Sequence, residues 1–175
     1  MLTAFVMALV VAFVVVNVYA EAMRHDLNPL KAPLSSYLTG PYGVVQSAGY
    51  VGLMLALLLL PAALPTTGYL FVPTDMSAIA LGGVVITKWL QLRATPNEHT
   101  LLETVHVVSA GIAFAEITVF EAWYAHDAHN QFLFNLAIAA PISAAAFARF
   151  APTQTAVEEK AYTALVTAWL LVALG

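Results

Sequence analysis

The chain has 175 residues, of which 61% are hydrophobic and 9% are charged, and its mean hydropathy is +0.84. This composition is far more apolar than that of a soluble domain and predicts a single integral membrane domain, residues 1–175. The net charge of -4 is spread along the chain and no run of basic residues could bind a phosphate backbone, which excludes nucleic acid as a partner. The lack of cysteine excludes disulfides and thiolate metal sites.

Six apolar segments are predicted to cross the membrane as helices, and we number them spans one to six. They cover residues 1–22, 43–64, 77–92, 100–124, 130–150 and 160–175. A helix rises ~1.5 Å per residue and a hydrocarbon core is ~30 Å thick, so spans three and six are short. The predicted fold is an all-α polytopic membrane protein, a bundle of six transmembrane helices.

Basic residues border only the odd-numbered connections between these spans. The six are Arg24, Lys31, Lys88, Arg93, Arg149 and Lys160. Basic residues stay on the cytoplasmic side during insertion. Loops one, three and five are therefore predicted to be cytoplasmic, and both termini are predicted to lie outside.

Loop one, residues 23–42, concentrates polar side chains at the membrane border, among them Asp26, Ser35 and Ser36. Such a loop can fold back over helix ends to hold a lipid head group, or it can be a capped turn whose Pro and Gly residues fix the bends. A serine nucleophile with His106 as its base is chemically feasible. The sequence contains no G-x-S-x-G pattern to support it.

The start of span four places His99, Glu103 and His106 on one face. At ~100° per residue, Glu103 lies about 40° from His99, and His106 lies about 20° on the other side. Imidazole and carboxylate groups bind zinc or a similar divalent metal, which usually takes about four ligands. One helix cannot surround an ion, so the metal hypothesis requires a further ligand from loop one, such as Asp26 or Ser36.

Three other interpretations of this triplet stay open. In a structural one, His99 and Glu103 form a solvated first turn and His106 is hydrogen-bonded to a neighbouring helix. In a second, haem is bound, which requires a histidine from another helix, and the chain has no C-x-x-C-H attachment motif. In a third, the triplet region binds a polar ligand or lipid head group through Asp26, Ser35, Ser36, Asn97 and His106.

Glu116 lies deep in span four, where a charged group costs ~2.5–3.5 kcal/mol or more. Asn135 of span five lies at a similar depth when both are counted from the external ends of their helices. The sequence therefore predicts an intramembrane hydrogen bond between Glu116 and Asn135.

Two stretches, "HDLNPLKAPLSSYLTGPYGVVQSAGYVGL" and "TPNEHTLLETVHVVSAGIAF", resemble a bacterial and archaeal family of small six-helix membrane proteins, domain of unknown function 998. The similar parts are the charged Pro and Ser loop, the Gly-Pro-Tyr-Gly start of span two and the His region. The family's aspartate after a Pro-Thr pair has no match here. The resemblance carries over the positions Ser36, Gly43, Pro96 and His106. It implies six spans, a prokaryotic cytoplasmic membrane and loops one and three meeting at one face, with no established activity.

Two classes of function follow from these features. In the leading hypothesis, the site binds a metal or a lipid head group and acts on membrane lipids as a hydrolase or transferase. A bound metal would activate water and Glu103 would move protons. In the alternative, the protein is a non-enzymatic structural or accessory subunit, whose small-residue faces pack against another membrane protein or a second copy of this chain.

Overall fold

The computed structural model describes residues 1–64, 71–150 and 155–175, which form six α-helices and one short 3₁₀ helix. The α-helices are α1 (Leu2–Met23), α2 (Gly43–Ala63), α3 (Phe71–Gln91), α4 (Pro96–Asp127), α5 (Gln131–Phe150) and α6 (Thr155–Leu174). The 3₁₀ helix covers Leu34–Leu38 in loop one. The all-helical prediction is confirmed, since no strand occurs in these three ranges.

Three helices begin earlier than the sequence predicted. α4 begins at Pro96 rather than at residue 100, because the Thr95 backbone N–H donates to the Glu98 carboxylate at 2.8 Å in a capping box. α3 begins at Phe71 rather than at residue 77, and it includes Pro73 in its first turn, where a missing N–H is tolerated. α6 begins at Thr155 rather than at residue 160. The Pro-Thr-Asp stretch in α3 and the polar first turns of α4 and α6 therefore hid the true helix starts from a hydropathy criterion.

Three of the described helices, α1, α2 and α4, are long and apolar enough to cross a membrane. Large apolar side chains also point outward from the bundle, including Val15, Ile79 and Ile142. Soluble monomers rarely expose such side chains over contiguous areas. The apolar helices indicate a membrane protein.

Helices adjacent in the sequence pack against one another, with α3–α4 the most extensive pair, followed by α1–α2 and α5–α6. α1 also packs against α6. Glycine permits the closest approaches: an ideal Cβ at Gly83 would lie 2.6 Å from Ser109 Oγ, and one at Gly49 would lie 2.9 Å from Val16 Cγ1. By contrast, α4 and α6 touch at only a few points, which leaves space between them.

Buried polar side chains join several of these helix pairs. Gln46 Nε2 of α2 donates to Asn17 Oδ1 of α1 at 2.6 Å. Ser77 Oγ of α3 donates to the Ala113 carbonyl of α4 at 3.0 Å. Such bonds hold helices together where lipid offers no hydrophobic drive for association.

Glu121 of α4 is a buried acid that the sequence analysis did not single out. It is fully buried, and neither of its carboxylate oxygens has a hydrogen-bond partner among the described residues. An unsatisfied buried polar group costs about 1–3 kcal/mol of stability.

Glu121→Met is therefore expected to raise the free energy of unfolding by about 1–3 kcal/mol, because methionine has a similar length and no polar group that requires a hydrogen-bond partner. The matched control is Glu121→Gln, which keeps an unsatisfied polar group and should give no such gain. Thermal unfolding in detergent, followed by circular dichroism, measures both variants. A loss of stability in Glu121→Met would show that the carboxyl group makes a stabilising interaction.

Candidate functional site

Loop one is fastened to the end of α1 by Arg24. The Arg24 guanidinium donates from Nε and Nη2 to the two carboxylate oxygens of Asp26, each at 2.8 Å, and from Nη1 to the Thr39 carbonyl. The Arg24 hydrogen bonds lower the pKa of the Asp26 carboxyl below its ordinary value. Gly40 has a φ of +85°, and a Cβ there would lie 2.8 Å from Arg24 Nη1, so this turn requires glycine. Asp26 thus secures the loop.

The first turns of α6 hold the other side of loop one. The Glu159 carboxyl group lies close to the backbone N–H groups of Leu34 and Ser35, at the start of the 3₁₀ helix. Lys160 Nζ donates to the Pro29 carbonyl at 2.5 Å. Loop one is therefore fixed between α1 and α6, with Ser35 buried.

The His106 ring joins loop one, α3 and α4. Its Nε2 lies 3.0 Å from Ser35 Oγ, and its Nδ1 lies 3.1 Å from Thr87 Oγ1 and 3.3 Å from the Val84 carbonyl oxygen. His106 is only 5% exposed. The contact with Ser35 confirms that loop one reaches the start of α4, as the sequence predicted.

The hydrogen-bond partners of His106 assign the protons of its neutral ring. The Val84 carbonyl can only accept, so Nδ1 carries the hydrogen. The Thr87 hydroxyl donates to the Gly83 carbonyl at 2.7 Å, so its oxygen is also an acceptor for Nδ1–H. Nε2 is then unprotonated and accepts from the Ser35 hydroxyl. A hydroxyl that donates to an imidazole, whose other nitrogen is oriented by a third group, is the arrangement that activates a serine nucleophile.

A cavity of about 390 Å³ lies beside Ser35 and His106. This volume falls within the range of roughly 300–1,000 Å³ that is typical of small-molecule sites. Its deep part is lined by large apolar side chains, which include Phe13, Leu53, Leu57, Leu81, Ile117 and Val166. The site therefore combines an apolar chamber with a hydroxyl–imidazole pair at its mouth.

Four charged side chains line the cavity mouth: Lys88, Glu103, Glu158 and Glu159. Lys88 Nζ lies 3.3 Å from Glu103 Oε2, which also accepts from Gln91 Nε2 at 2.7 Å. None of the ion pairs in the described part of the chain includes Glu158. Among the described residues, the mouth therefore has one lysine and three glutamates.

The structure does not bring His99, Glu103 and His106 together as metal ligands. His99 is exposed on the first turns of α4, Glu103 bonds to α3, and His106 turns inward to Ser35. Across residues 1–64, 71–150 and 155–175, no group of three or more His, Cys, Asp or Glu side chains could hold a metal ion. The helical periodicity puts the three residues on one stripe of α4. Helix α3 packs along one edge of that stripe and contacts only Glu103 and His106.

Of the residues predicted to bind a polar ligand, Ser35 and His106 line the cavity. Asp26 is paired with Arg24, the Ser36 carbonyl accepts from Thr39 Oγ1 at 3.2 Å, and Asn97 is exposed at the start of α4. These three residues are not part of the cavity lining. The adjacent serines thus have different roles, because the 3₁₀ helix directs only Ser35 toward His106.

The predicted bond between Glu116 and Asn135 is not formed. Asn135 accepts a hydrogen bond from Gln131 Nε2 of its own helix at 2.8 Å. Its side chain lies on an exposed face of α5, whereas Glu116 is half-buried on α4. Equal depth along two helices was therefore not enough to make the side chains face each other.

Thr87, Lys88 and Glu159 are site residues that the sequence analysis did not identify. In the sequence, they are distinguished only as polar residues near the ends of spans three and six, the two shortest predicted spans.

Comparisons of the chain with family models, curated proteins and solved structures gave no match.

Proposed function

We propose that this protein is a six-span prokaryotic membrane protein that acts on acyl lipids by hydrolysis or acyl transfer, with Ser35 as the nucleophile and His106 as the base. The observation that carries the proposal is the 3.0 Å contact between Ser35 Oγ and His106 Nε2, with Nδ1 oriented by the Val84 carbonyl. This pair lies at the polar mouth of an apolar cavity, where the ester of a lipid would meet it.

The lengths of the remaining helices support six spans. α3, α5 and α6 have 21, 20 and 20 residues, and about 20 residues cross a hydrocarbon core. With six spans, the basic residues favour a topology with loops one, three and five in the cytoplasm and both termini outside. In this topology the Ser35–His106 pair lies at the cytoplasmic border of the membrane.

In the first half of the proposed reaction, Ser35 Oγ attacks the carbonyl carbon of the acyl ester while its proton moves to His106 Nε2. The bond from that carbon to the alcohol oxygen then breaks, and Nε2–H returns the proton to the leaving alcohol. The products of this half are an acyl-serine and a free alcohol. The Val84 carbonyl keeps the ring oriented while it carries the second proton.

In the second half, water or another alcohol attacks the acyl-serine carbon and gives its proton to His106 Nε2. The Ser35 oxygen leaves and takes that proton back, which restores the starting state. Water gives a free fatty acid, and an alcohol gives a transferred acyl ester. Both halves use only the two side chains and the two substrates.

Ser35→Ala is expected to reduce fatty-acid release to the background rate, because the variant lacks the attacking oxygen. The matched control is Ser36→Ala, which removes the neighbouring hydroxyl of the same 3₁₀ helix and should retain activity. Release of labelled fatty acid from monoacylglycerol, in vesicles that contain the purified protein and a metal chelator, measures both. Equal activity of wild type and Ser35→Ala would contradict the proposal. No release by wild type would favour the accessory-subunit hypothesis.

A further inference from the structure

We infer that the cavity holds one acyl chain, which enters sideways from the bilayer between α4 and α6, and that the mouth selects head groups without net negative charge. The substrate class is therefore a single-chain acyl ester with a neutral or zwitterionic head group. This inference deepens the proposed function and rests on it for the reaction, while the binding of the chain is testable without turnover.

The lining of the cavity fits a hydrocarbon chain. Its deep part is formed by aliphatic and aromatic side chains, and the charged groups are confined to the end near loop one. A hydrocarbon chain gains by leaving water and needs no hydrogen bonds from such walls. The volume of about 390 Å³ lies near the lower limit of roughly 300 Å³ for small-molecule sites, which favours one chain over two.

The gap between α4 and α6 provides a lateral opening. Val107 and Gly111 of α4 line the cavity and are also exposed, so the cavity reaches the outer surface of the bundle there. Thr163 of α6 lines it on the opposite side. A Cβ added at Gly111 would meet nothing within 4 Å. Because α4 is one of the helices apolar enough to cross a membrane, an opening along it would face hydrocarbon in the proposed topology.

The charges at the mouth determine which head groups fit. Lys88, the one described cation that lines the cavity, is already paired with Glu103, and Glu159 lies close to the backbone of the 3₁₀ helix. Glu158 lies at the same mouth outside the ion pairs of the described residues. An anionic head group would be repelled by this carboxylate, because the lysine that lines the cavity is already paired. A neutral or zwitterionic head group avoids that repulsion.

Binding of three probes with the same acyl chain tests the inference: a monoacylglycerol, a lysophosphatidylcholine and a lysophosphatidic acid. We expect the first two to bind the full-length protein in nanodiscs, and the anionic third to bind about tenfold more weakly, as expected for one repelled unit charge near a protein surface. Native mass spectrometry measures all three. Equal or tighter binding of lysophosphatidic acid would overturn the head-group selection.

Gly111→Phe is expected to weaken binding of the monoacylglycerol at least about tenfold, since the ring would fill the opening. Ile112→Phe is the matched control, because Ile112 is exposed on the same turn and does not line the cavity. Unchanged binding in Gly111→Phe would overturn the lateral site. Ser35→Ala should still bind the probe.

The two proposals fail in different ways. If wild type and Ser35→Ala both bind the monoacylglycerol but neither releases fatty acid, the proposed reaction is wrong and the acyl-chain site stands. If Gly111→Phe hydrolyses the ester at the wild-type rate, the acyl-chain site is wrong and the Ser35–His106 chemistry stands.

Discussion

His106→Gln is expected to lower the rate of fatty-acid release by about 10²–10⁴-fold, the usual contribution of a general base. Glutamine retains an amide oxygen that can accept the hydrogen bond from Ser35, but it cannot take up the Ser35 proton near neutral pH. The folded arrangement of loop one against α4 should therefore survive, while the nucleophile loses its activation. Single-turnover release of labelled fatty acid from monoacylglycerol vesicles measures the effect on the acylation step.

His99→Gln is the matched control for this experiment. His99 lies on the same helix but is exposed, and it does not line the cavity. Its replacement should leave the rate and the unfolding temperature unchanged. If His106→Gln and His99→Gln had the same rate as wild type, His106 would not be the base. The 3.0 Å contact with Ser35 would then be only structural.

Gly43→Ala is expected to lower the free energy of unfolding by about 1–3 kcal/mol, the typical cost of overpacking. Gly43 is the first residue of α2, and a Cβ there would lie 2.4 Å from the Leu38 carbonyl oxygen. The contacted atom belongs to the backbone, so it cannot move aside as a flexible side chain would. The 3₁₀ helix that carries Ser35 must shift, and we expect fatty-acid release to fall with stability.

Gly52→Ala provides the matched control within the same helix. A Cβ at Gly52 would lie 3.9 Å from Leu9 Cδ2, which is ordinary van der Waals contact. Alanine also favours a helix over glycine by up to about 1 kcal/mol, so this variant should be as stable as wild type or more stable. Thermal unfolding in detergent, together with the release assay, compares the two variants. Equal unfolding temperatures for Gly43→Ala and wild type would show that the turn before α2 adapts freely.

The sequence was sufficient to predict the helices and one tertiary contact, that of loop one with the start of α4. Apolar runs predicted all six helices, although the runs for the third and sixth were shorter than a membrane crossing, because each helix must satisfy its own backbone groups in an apolar setting. The helix starts were less accurate where a capping box or a polar first turn precedes the apolar run, as at Thr95. The contact of loop one with the start of α4 followed from placing odd-numbered loops on one side.

The partners of the site residues could not be predicted in the same way. Whether Ser35 or Ser36 faces His106 depends on the 3₁₀ helix, which packs against helices from distant parts of the chain. The ring direction of His106 depends on Thr87, which reaches it only because α3 packs closely on α4. Local periodicity carries no information on such long-range contacts.

Glu116 and Glu121 show the same limit for acids within α4. They are five residues apart, so their directions differ by about 140° around the helix and they cannot both face the interior. The structure buries Glu121, on the side of Ile117 and Ala125, and leaves Glu116 half-buried. Depth along the span led to Glu116 in the sequence analysis, whereas the direction around α4 determines that Glu121 is the buried acid.

Reaction of the protein with a long-chain alkyl fluorophosphonate, followed by peptide mass spectrometry, tests most directly whether Ser35 is an activated nucleophile in an acyl-chain site. The reagent bonds covalently to activated serine hydroxyls, and its alkyl chain matches the proposed cavity. We expect a stable adduct on Ser35 in wild type, its near absence in His106→Gln and no adduct on Ser36. Wild-type protein that remains unlabelled, or that is labelled on Ser36 instead, would contradict the account.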